Sequence, residues 1–400
     1  MITYEVKLKK IGEMTTLPDS QRLFGFLMNF SKQYCPEEEI SAFVKGVREK
    51  EQKCMISSMF PTGYYPMPKA YVIQKLQKKL NENQEKITSE EKKQIDLRKE
   101  IELLIHTLMK KNKSIKIKNK KIEKEIEDLK SELEDKKNEF NQSASKINNL
   151  SIKNIYETIK NMDFIVQNEL KEILNLSENN EKISVEVLKT FKHIKKKQTF
   201  IQKFRLENQI RELPGMPNVA YALPILSFEN QEGEIQKDFS FFVRAPKESC
   251  LAKGLEGMQT SLQNHDIPCF LGAKGSSGYN EYQIYSVEVL NEQESKDVRN
   301  IDYLNLGVLL PNFDNIDVEH SFLDIYTSDR KPFEIENEVP KVISFVTAGS
   351  VIQVKDNGTD LYQVGKSIDN SKYNPLYKKN AIIFGNAYLI GLEASNEASF

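Results

Sequence analysis

The residues best suited to chemistry form a glycine-rich segment, Phe270–Tyr282. Its glycines recur at every third position, with a lysine, two serines and a tyrosine among them: Gly272, Lys274, Gly275, Ser276, Ser277, Gly278 and Tyr279. Glycine lets backbone N–H groups approach a phosphate closely, lysine adds charge, and tyrosine offers a face for a base. The segment precedes a predicted strand, whereas a P-loop opens a helix and ends in Gly-Lys-Ser/Thr. Two interpretations stay open: a phosphate-binding loop or an ordinary hairpin loop.

A second candidate is a run of basic residues interleaved with aromatic ones. The basic members are Lys192, Lys195, Lys196, Lys197, Lys203, Arg205 and Arg211, and the aromatic members are Phe191, Phe200 and Phe204. Such a mixture suits contacts with the backbone and bases of a nucleic acid. Ser184 is a suitable N-cap for a last helix ending near Lys197. The alternative interpretation is therefore a helix end whose basic residues complement the helix dipole.

Other reactive residues are too scattered to form a recognisable catalytic or metal site. The sequence contains no Gly-x-Ser-x-Gly, HExxH or CxxC pattern, and its four histidines lie far apart. The four cysteines, Cys35, Cys54, Cys250 and Cys269, match no zinc-binding spacing. We expect reduced thiols, no metal, no cofactor and no catalytic activity.

Composition describes a globular chain with almost balanced charge. Of 400 residues, 57 are Lys or Arg and 58 are Asp or Glu, while 39% are hydrophobic. No apolar run approaches the roughly 18 residues of a membrane span, and the first residues lack the apolar core of a secretory signal. We expect a cytoplasmic protein that does not enter a membrane. Because its net charge is −1, any nucleic-acid contact requires a local basic patch.

The middle of the chain is predicted to be helical. None of the 17 glycines and 14 prolines falls within residues 69–213, and both residue types interrupt helices. Apolar residues recur there at steps of three and four, flanked by charged ones, as in a coiled coil. Breaks are expected near residues 141–145 and 175–180. The segment is predicted to be an antiparallel helical hairpin, which is either a spacer arm or a coiled coil that binds a partner or a second copy.

The flanking regions combine strands and helices. Ile2–Ile11 alternates like a strand, two helices follow before residue 50, and strands and helices resume after residue 220. A strand–helix–strand–strand–helix–strand order is typical of a ferredoxin-like unit. The predicted fold is α+β, with tandem ferredoxin-like domains and a long α-helical coiled-coil insertion. The predicted domains are residues 1–73 plus 191–292, the insertion 74–190, and residues 293–400.

Several segments resemble the RAMP proteins of CRISPR systems, whose domains are RRM-like. They are Leu17–Leu27, Ile56–Pro61, Tyr64–Lys69, Lys195–Ile201, the glycine-rich segment Phe270–Tyr282, Arg330–Phe333 and Ala348–Val351. Together they are most similar to the fourth subunit of the type III-A, or Csm, effector complex. The similarity covers about two-thirds of the chain and leaves out residues 75–190.

This resemblance implies a non-catalytic subunit that holds the 5′ repeat-derived handle of crRNA. It also implies two protein partners, the large palm-domain subunit with its polymerase- or cyclase-like fold and a backbone RAMP subunit, and an indirect encounter with target RNA. Gly272, Lys274, Gly275, Ser276, Ser277 and Gly278 are expected to line the handle. Arg22 is expected to contact a phosphate, and Phe60, Pro61 and Tyr64 to shape the neighbouring loop.

Two other functions compete with handle binding. One is a metal-independent RAMP endoribonuclease that matures crRNA, which needs a general acid or base near the same loop. The other is a coiled-coil scaffold whose globular parts only anchor the helical arm.

Overall fold

The computed structural model of the chain describes residues 1–113, 120–176, 182–205, 219–290, 301–327, 343–355, 360–369 and 382–392. These residues mix helices and strands, which confirms the predicted α+β class. The chain divides into two compact units. The first contains Met1–Tyr71, Met162–Lys171 and Lys192–Phe400, and the second contains Val72–Asn161 and Glu172–Phe191.

The described β-strands are β1 Ile2–Lys10, β2 Met55–Ile56, β3 Phe60–Pro61, β4 Tyr64–Pro66, β5 Phe164–Val166, β6 His193–Arg205, β7 Val219–Glu229, β8 Asp238–Ala245, β9 Ile267–Phe270, β10 Glu281–Leu290, β11 Asp302–Asn305, β12 Ile316–Phe322, β13 Ile325–Thr327, β14 Ser344–Val346, β15 Val351–Val354, β16 Ile368–Asp369, β17 Ile382–Ile383 and β18 Leu389–Gly391. The described α-helices are α1 Ser20–Ser31, α2 Glu37–Arg48, α3 Lys69–Lys113, α4 Lys120–Leu150, α5 Ile152–Asn161, α6 Gln167–Asn175, α7 Val185–Thr190 and α8 Cys250–Ser261. Short 3-10 turns cover Gly275–Ser277 and Leu361–Gln363.

The first unit contains an antiparallel sheet of order β2-β8-β1-β10-β9, in which β3 also pairs with β8. β1 lies in its centre, paired with β8 and β10, and its alternating sequence buries one of its two faces. Tyr4, Val6 and Leu8 are fully buried, while Glu5 and Lys7 on the opposite face form an ion pair with each other. The strand predicted at the N-terminus is therefore confirmed.

Helices α1 and α2 follow β1 in the chain, and α8 follows β8. Asp19 caps α1 by accepting a 2.8 Å hydrogen bond from the Arg22 backbone N–H, as expected of an N-cap aspartate. Ser249 caps α8 in the same way through the N–H of Ala252. α1 packs on α8 where Gly254 lies against Ser31, so close that a Cβ on the glycine would come within 2.2 Å of the serine hydroxyl.

A second sheet of the first unit has the order β4-β5-β6-β7. β6 and β7 form a long antiparallel ribbon that runs from the Lys195–Glu229 pair to the Arg205–Val219 pair. β5, which lies within the range 74–190, joins this sheet through Phe164 and Ile165. The range predicted as a helical insertion therefore also supplies a strand to the first unit.

The C-terminal part forms a sheet of order β12-β15-β11-β18 and two short strand pairs, β13-β14 and β16-β17. Within the described residues from 301 onward, the helical structure is a single 3-10 turn, Leu361–Gln363. Phe384 of this part stacks on Phe24 of α1, with ring centroids 4.4 Å apart. The tandem ferredoxin-like arrangement and the domain boundaries at 191, 292 and 293 stay predictions.

The second unit contains the helical hairpin. α3 and α4 run antiparallel, since Lys111 pairs with Glu125, Lys136 with Glu100, and the Ser143 hydroxyl with Glu90. Ile87, Leu97, Leu108 and Ile126 form its buried seam. The break predicted near residues 141–145 is wrong, because α4 continues through Ser143, whose hydroxyl is buried against Glu90. The break predicted near 175–180 falls mostly on residues 177–181, outside the described residues.

Candidate nucleic-acid interface

The glycine-rich segment forms the connection between β9 and β10. Lys274 and Gly278 both adopt the left-handed conformation, with φ of 63° and 77°, on either side of the 3-10 turn. The N–H groups of Ser277 and Tyr279 donate to the Lys274 carbonyl, and that of Gly278 donates to the Gly275 carbonyl. These three amides are therefore engaged within the loop. The side chains of Lys274, Ser276 and Ser277 are exposed.

Asn280 holds the loop in this shape. Its side chain is fully buried, and its Oδ1 accepts from the Thr15 N–H at 2.8 Å. Its Nδ2 donates to Thr15 Oγ1 and to the Ala273 carbonyl, each at 2.8 Å. Gly272 lies directly over it, and a Cβ there would come within 2.6 Å of the Asn280 side chain. Position 272 therefore requires a glycine, because a side chain there would clash with Asn280 inside the loop.

Tyr279 points inward from the loop. Its side chain is 8% exposed and clusters with Leu223 and Ile225 of β7. The sequence predicted a ring that stacks on a base, but this packing leaves the ring little free surface. The tyrosine instead fixes the loop against the β6–β7 ribbon.

Arg22 lies beside this loop. Its Nη1 donates a 2.9 Å hydrogen bond to Thr16 Oγ1, and the preceding residue, Thr15, is the one held by Asn280. Burial raises the pKa of Tyr282 and the nearby Arg22 guanidinium opposes that shift. The structure therefore brings Arg22 and the glycine-rich loop, which are far apart in sequence, into one neighbourhood.

The basic run Lys195–Lys197 lies on β6 and not at the end of a helix. The helix predicted to end near Lys197 is shorter than expected: Ser184 caps α7 through the Val187 N–H, but α7 ends at Thr190. The dipole interpretation of these lysines is therefore wrong, because β5 and β7 recruit residues 193 onward into a sheet. All three lysines are exposed.

The two faces of β6 differ in the partners of their lysines. The ammonium group of Lys197 bonds to the Glu229 carboxylate across the ribbon. Lys196, on the opposite face, is anchored through its backbone N–H, which donates to Asp163 Oδ2 at 2.7 Å. Farther along the strand, Phe200 is 63% and Ile201 is 41% exposed. Arg205 is the last residue of β6, and Arg211 lies outside the described residues.

A cavity of about 730 Å³ lies in the first unit. Its walls come from segments far apart in sequence, namely residues 17–19, 58–60, 66–67, 69–71, 163–164, 196, 321–324 and 347–350. Four of the segments that carry the RAMP resemblance, around residues 17, 58, 66 and 348, thus converge with Lys196 on one space. No local sequence pattern marks this cavity. The sequence indicates it only indirectly, because several segments that resemble RAMP proteins lie far apart in sequence and yet line the same space.

The remaining titratable residues do not assemble into a further site. Among the described residues, no three His, Cys, Asp or Glu side chains come close enough to hold a metal ion. His320 pairs with Asp317 at 2.8 Å on β12, and His193 with Gln231 at 2.9 Å. All four cysteines are free and buried, and burial raises the pKa of Cys250 and Cys269 to about 12. Within the described part of the chain, no helix is long and apolar enough to cross a bilayer.

Comparison with known proteins gives structural neighbours only. No family model and no curated protein matches the sequence. A chain of the crystal structure of a Csm3-Csm4 subcomplex in the type III-A CRISPR-Cas interference complex is similar at a TM-score of 0.46 and 12% identity, over 97% of this chain and 98% of that one. Chains from two crystal structures of a Csm1-Csm4 cassette, with cA4 and with pppApA, give TM-scores of 0.43 and 0.42 at 12% and 10% identity, over 99% of this chain and 100% of each of theirs.

Proposed function

We propose that this chain is a non-catalytic RNA-binding subunit of a type III-A CRISPR interference complex, where it holds the 5′ repeat-derived handle of a crRNA. The observation that carries the proposal is the exposed run Lys195–Lys197 on a two-stranded ribbon, with the exposed ring of Phe200 farther along the same strand. Phosphate neutralisation by lysine supplies affinity for any RNA strand, and an exposed aromatic ring supplies a surface on which bases stack. The large palm-domain subunit and a backbone RAMP subunit are the protein partners that the sequence resemblance adds.

The neighbouring elements extend this surface. Tyr279 packs on β7 of the same ribbon, so the glycine-rich loop lies against it with Lys274, Ser276 and Ser277 exposed. Arg22 stands beside the loop. An RNA strand that follows the ribbon thus meets cations and hydroxyl groups from three separate parts of the chain. We therefore place the phosphate contacts on the exposed loop side chains and Arg22, and not on the three loop amides that are engaged internally.

The fold of the first unit supports the same proposal. β1, α1, the short strands β2 and β3 that both pair with β8, β8 itself, α8 and β10 occur in the strand–helix–strand–strand–helix–strand order of a ferredoxin-like unit. We infer that residues 1–73 and 191–292 build one such unit, with α2 added after α1 and with the ribbon inserted before β8. A second unit of this kind after residue 293 is part of the proposal.

The test measures RNA affinity of the purified full-length chain by fluorescence anisotropy at several salt concentrations, with a labelled single-stranded handle RNA. The variant Lys195→Ala/Lys196→Ala/Lys197→Ala removes three cations. Because Lys195 and Lys197 lie on the face of β6 opposite Lys196, one RNA strand on the ribbon contacts at most two of them. At about 0.7 per contact with a single strand, we expect the slope of log Kd against log salt to fall by about 0.7–1.4. Phe200→Ala is expected to cost about 1–3 kcal/mol of binding free energy without changing that slope.

The matched control removes three other exposed lysines of the first unit, on or near α2 and α8: Lys45→Ala/Lys247→Ala/Lys253→Ala. It loses the same charge and should leave the salt slope nearly unchanged. The proposal is wrong if both triple variants weaken binding equally, because the attraction would then be a general charge effect. It is also wrong if neither the isolated chain nor its native assembly carries RNA.

A further inference from the structure

The outward face of helix α3 carries the exposed apolar side chains of the second unit. Among the described residues of this unit, the large apolar side chains with high exposure are Ile95 at 57%, Leu103 at 68% and Met109 at 61%. Leu97 and Leu108 of the same helix are only 4% and 8% exposed, because they lie in the buried seam of the hairpin. Exposed apolar side chains gathered on one face commonly mark an interaction surface.

These three side chains point away from the seam. An α-helix turns by about 100° per residue, so each of the three lies about 120–160° around α3 from Leu97. His106, which is also exposed, lies in the middle of this face. The face therefore stays open to another molecule along about four turns of the helix, from Ile95 to Met109.

The charged side chains at the edge of this face are placed symmetrically about Leu103. Asp96 comes seven residues before Leu103, and Lys110 comes seven residues after it. Seven residues are close to two helical turns, so the three side chains form one row along α3. All three are exposed. A carboxylate thus lies at one end of the row and an ammonium group at the other, at equal distances from an apolar centre.

Such a row is complementary to a second copy of itself in the antiparallel orientation. In a two-fold contact, a residue that meets a given position of the other copy is also met by that residue from the other side. With Leu103 on the axis, the two Leu103 side chains meet, and Asp96 of each copy meets Lys110 of the other. Ile95 then lies two positions, about 3 Å along the axis, from Met109 of the other copy. One register therefore covers the exposed apolar side chains and forms two ion pairs.

The other charges of the face favour a second copy over a partner of one charge sign. Lys99 lies 3.7 Å from Asp96, and Glu102 lies 3.5 Å from Arg98, so the face alternates between cations and carboxylates. A strongly acidic or strongly basic partner would meet like charges somewhere along it, whereas a reversed copy matches its pattern. Glu102, the charged residue closest to the axis, brings its own Arg98 with it.

We propose that the hairpin is a homodimerisation arm, in which α3 packs antiparallel against α3 of a second copy about a two-fold axis at Leu103. This inference does not rest on the proposed RNA binding, whose residues belong to the first unit. An assembly that contains this chain would thereby be joined to a second one. Because the contact covers few apolar side chains, it dissociates on dilution, as small interfaces do.

The experiment reverses the charges of the row in the purified full-length chain. Sedimentation velocity over a range of protein concentrations measures the monomer–dimer equilibrium. Asp96→Lys places two lysines at each ion-pair position, and Lys110→Asp places two aspartates there. We expect each single variant to dimerise about tenfold more weakly than the wild type, since two attractive contacts become repulsive. The double variant Asp96→Lys/Lys110→Asp restores both pairs with reversed polarity and should recover the wild-type association.

A mixture of the two single variants gives the sharpest result. In a mixed dimer, each ion-pair position holds one lysine and one aspartate. The mixture should therefore dimerise about as strongly as the wild type, although neither variant does so alone. Energy transfer between a donor-labelled Asp96→Lys chain and an acceptor-labelled Lys110→Asp chain measures this. A substitution that merely disturbed the fold would not be rescued by a differently charged partner.

The matched controls make the same charge changes away from the row. Asp128→Lys and Lys124→Asp, at exposed positions of α4, should leave the association unchanged. Leu103→Asp places two carboxylates at the axis and should abolish it, while circular dichroism at 222 nm shows the hairpin still helical.

The proposal is wrong if the wild type is monomeric at every concentration, as it would be if a different protein covered this face. It is also wrong if the α4 controls weaken association as much as the row variants do. A mixture of the single variants that associates no better than each variant alone overturns it as well.

Discussion

Asn280 is the residue on which the shape of the glycine-rich loop depends. Its amide group makes three hydrogen bonds at 2.8 Å, two to Thr15 and one to the Ala273 carbonyl, and it is fully buried. Its φ of 55° is positive, a conformation that asparagine tolerates better than most residues with a Cβ. One side chain thus joins the loop to the segment that also holds Arg22.

We predict that Asn280→Ala destabilises the protein by about 1–3 kcal/mol, because the buried Thr15 N–H loses its acceptor. The free energy of unfolding is measured by urea titration. Asn264→Ala, at an exposed position after α8, serves as the control and should change stability by less than about 0.5 kcal/mol. Equal effects of the two substitutions would mean that the loop does not depend on the Asn280 hydrogen bonds.

At this scale, the sequence located the loop but not the direction of its side chains. Three glycines around a lysine indicate where the backbone turns sharply, since that property is local. The burial of Tyr279 depends on Leu223 and Ile225, more than fifty residues earlier in the chain. The fully buried Asn280 was missed for the same reason, because its partner Thr15 is distant in sequence and nothing local marks it.

At the scale of elements, β6 shows tertiary pairing overriding local preference. Lysine is a good helix former, and the cap at Ser184 favoured a helix continuing to residue 197. Phe191 is buried and extended, however, and Phe164 of β5 pairs with Ile194. Eleven residue pairs with β7 then fix residues 195–205 as a strand. Strand preference depends on such neighbours, which the sequence does not reveal.

Two leucines of helix α3 differ strongly in exposure and so provide a test of how the helical hairpin packs. Leu97 of α3 is 4% exposed, whereas Leu103 is 68% exposed six residues later. Leu97→Ala should cost about 2–5 kcal/mol, the range for truncating a buried leucine. Leu103→Ala should cost less than about 0.5 kcal/mol. Unfolding of the full chain is followed by circular dichroism at 222 nm.

A large loss of stability in Leu103→Ala would contradict the exposed position of that side chain in the isolated chain. The measurement is then repeated over a range of protein concentrations. A loss that depends on concentration would show that a second copy covers the hairpin. This comparison therefore also separates a self-associating coiled coil from the other interpretations of the insertion, a spacer arm and a coiled coil that binds a different partner.

At the scale of the whole molecule, the sequence predicted where the long helices lie better than it predicted which short segments among them join the first unit. The absence of glycine and proline between residues 69 and 213 predicted long helices, and helices α3 and α4 of 45 and 31 residues are present. Residues 162–171 within that range nevertheless belong to the first unit. A short strand paired at both edges, such as β5, leaves too weak a pattern in sequence to be separated from the helices around it.

This division predicts that RNA binding does not need the distal part of the hairpin. The Glu90 carboxylate and the Ser143 hydroxyl are 2.9 Å apart, so residues 92–141 can be replaced by a short Gly/Ser linker without stretching the chain. Lys195, Lys196, Lys197, Arg22 and the glycine-rich loop all belong to the first unit. We therefore expect the shortened chain to bind handle RNA with the salt slope of the full chain, as measured by anisotropy.

The triple lysine variant built into the shortened chain is the control. Its salt slope should fall by the same amount as in the full chain, to within about 0.7. If shortening the hairpin abolishes binding while the thermal unfolding of the first unit is unchanged, the helices themselves contact RNA. If shortening instead leaves RNA binding intact but prevents the chain from joining its native assembly, the hairpin acts as the scaffold. RNA and the protein partners would then bind different units of the molecule.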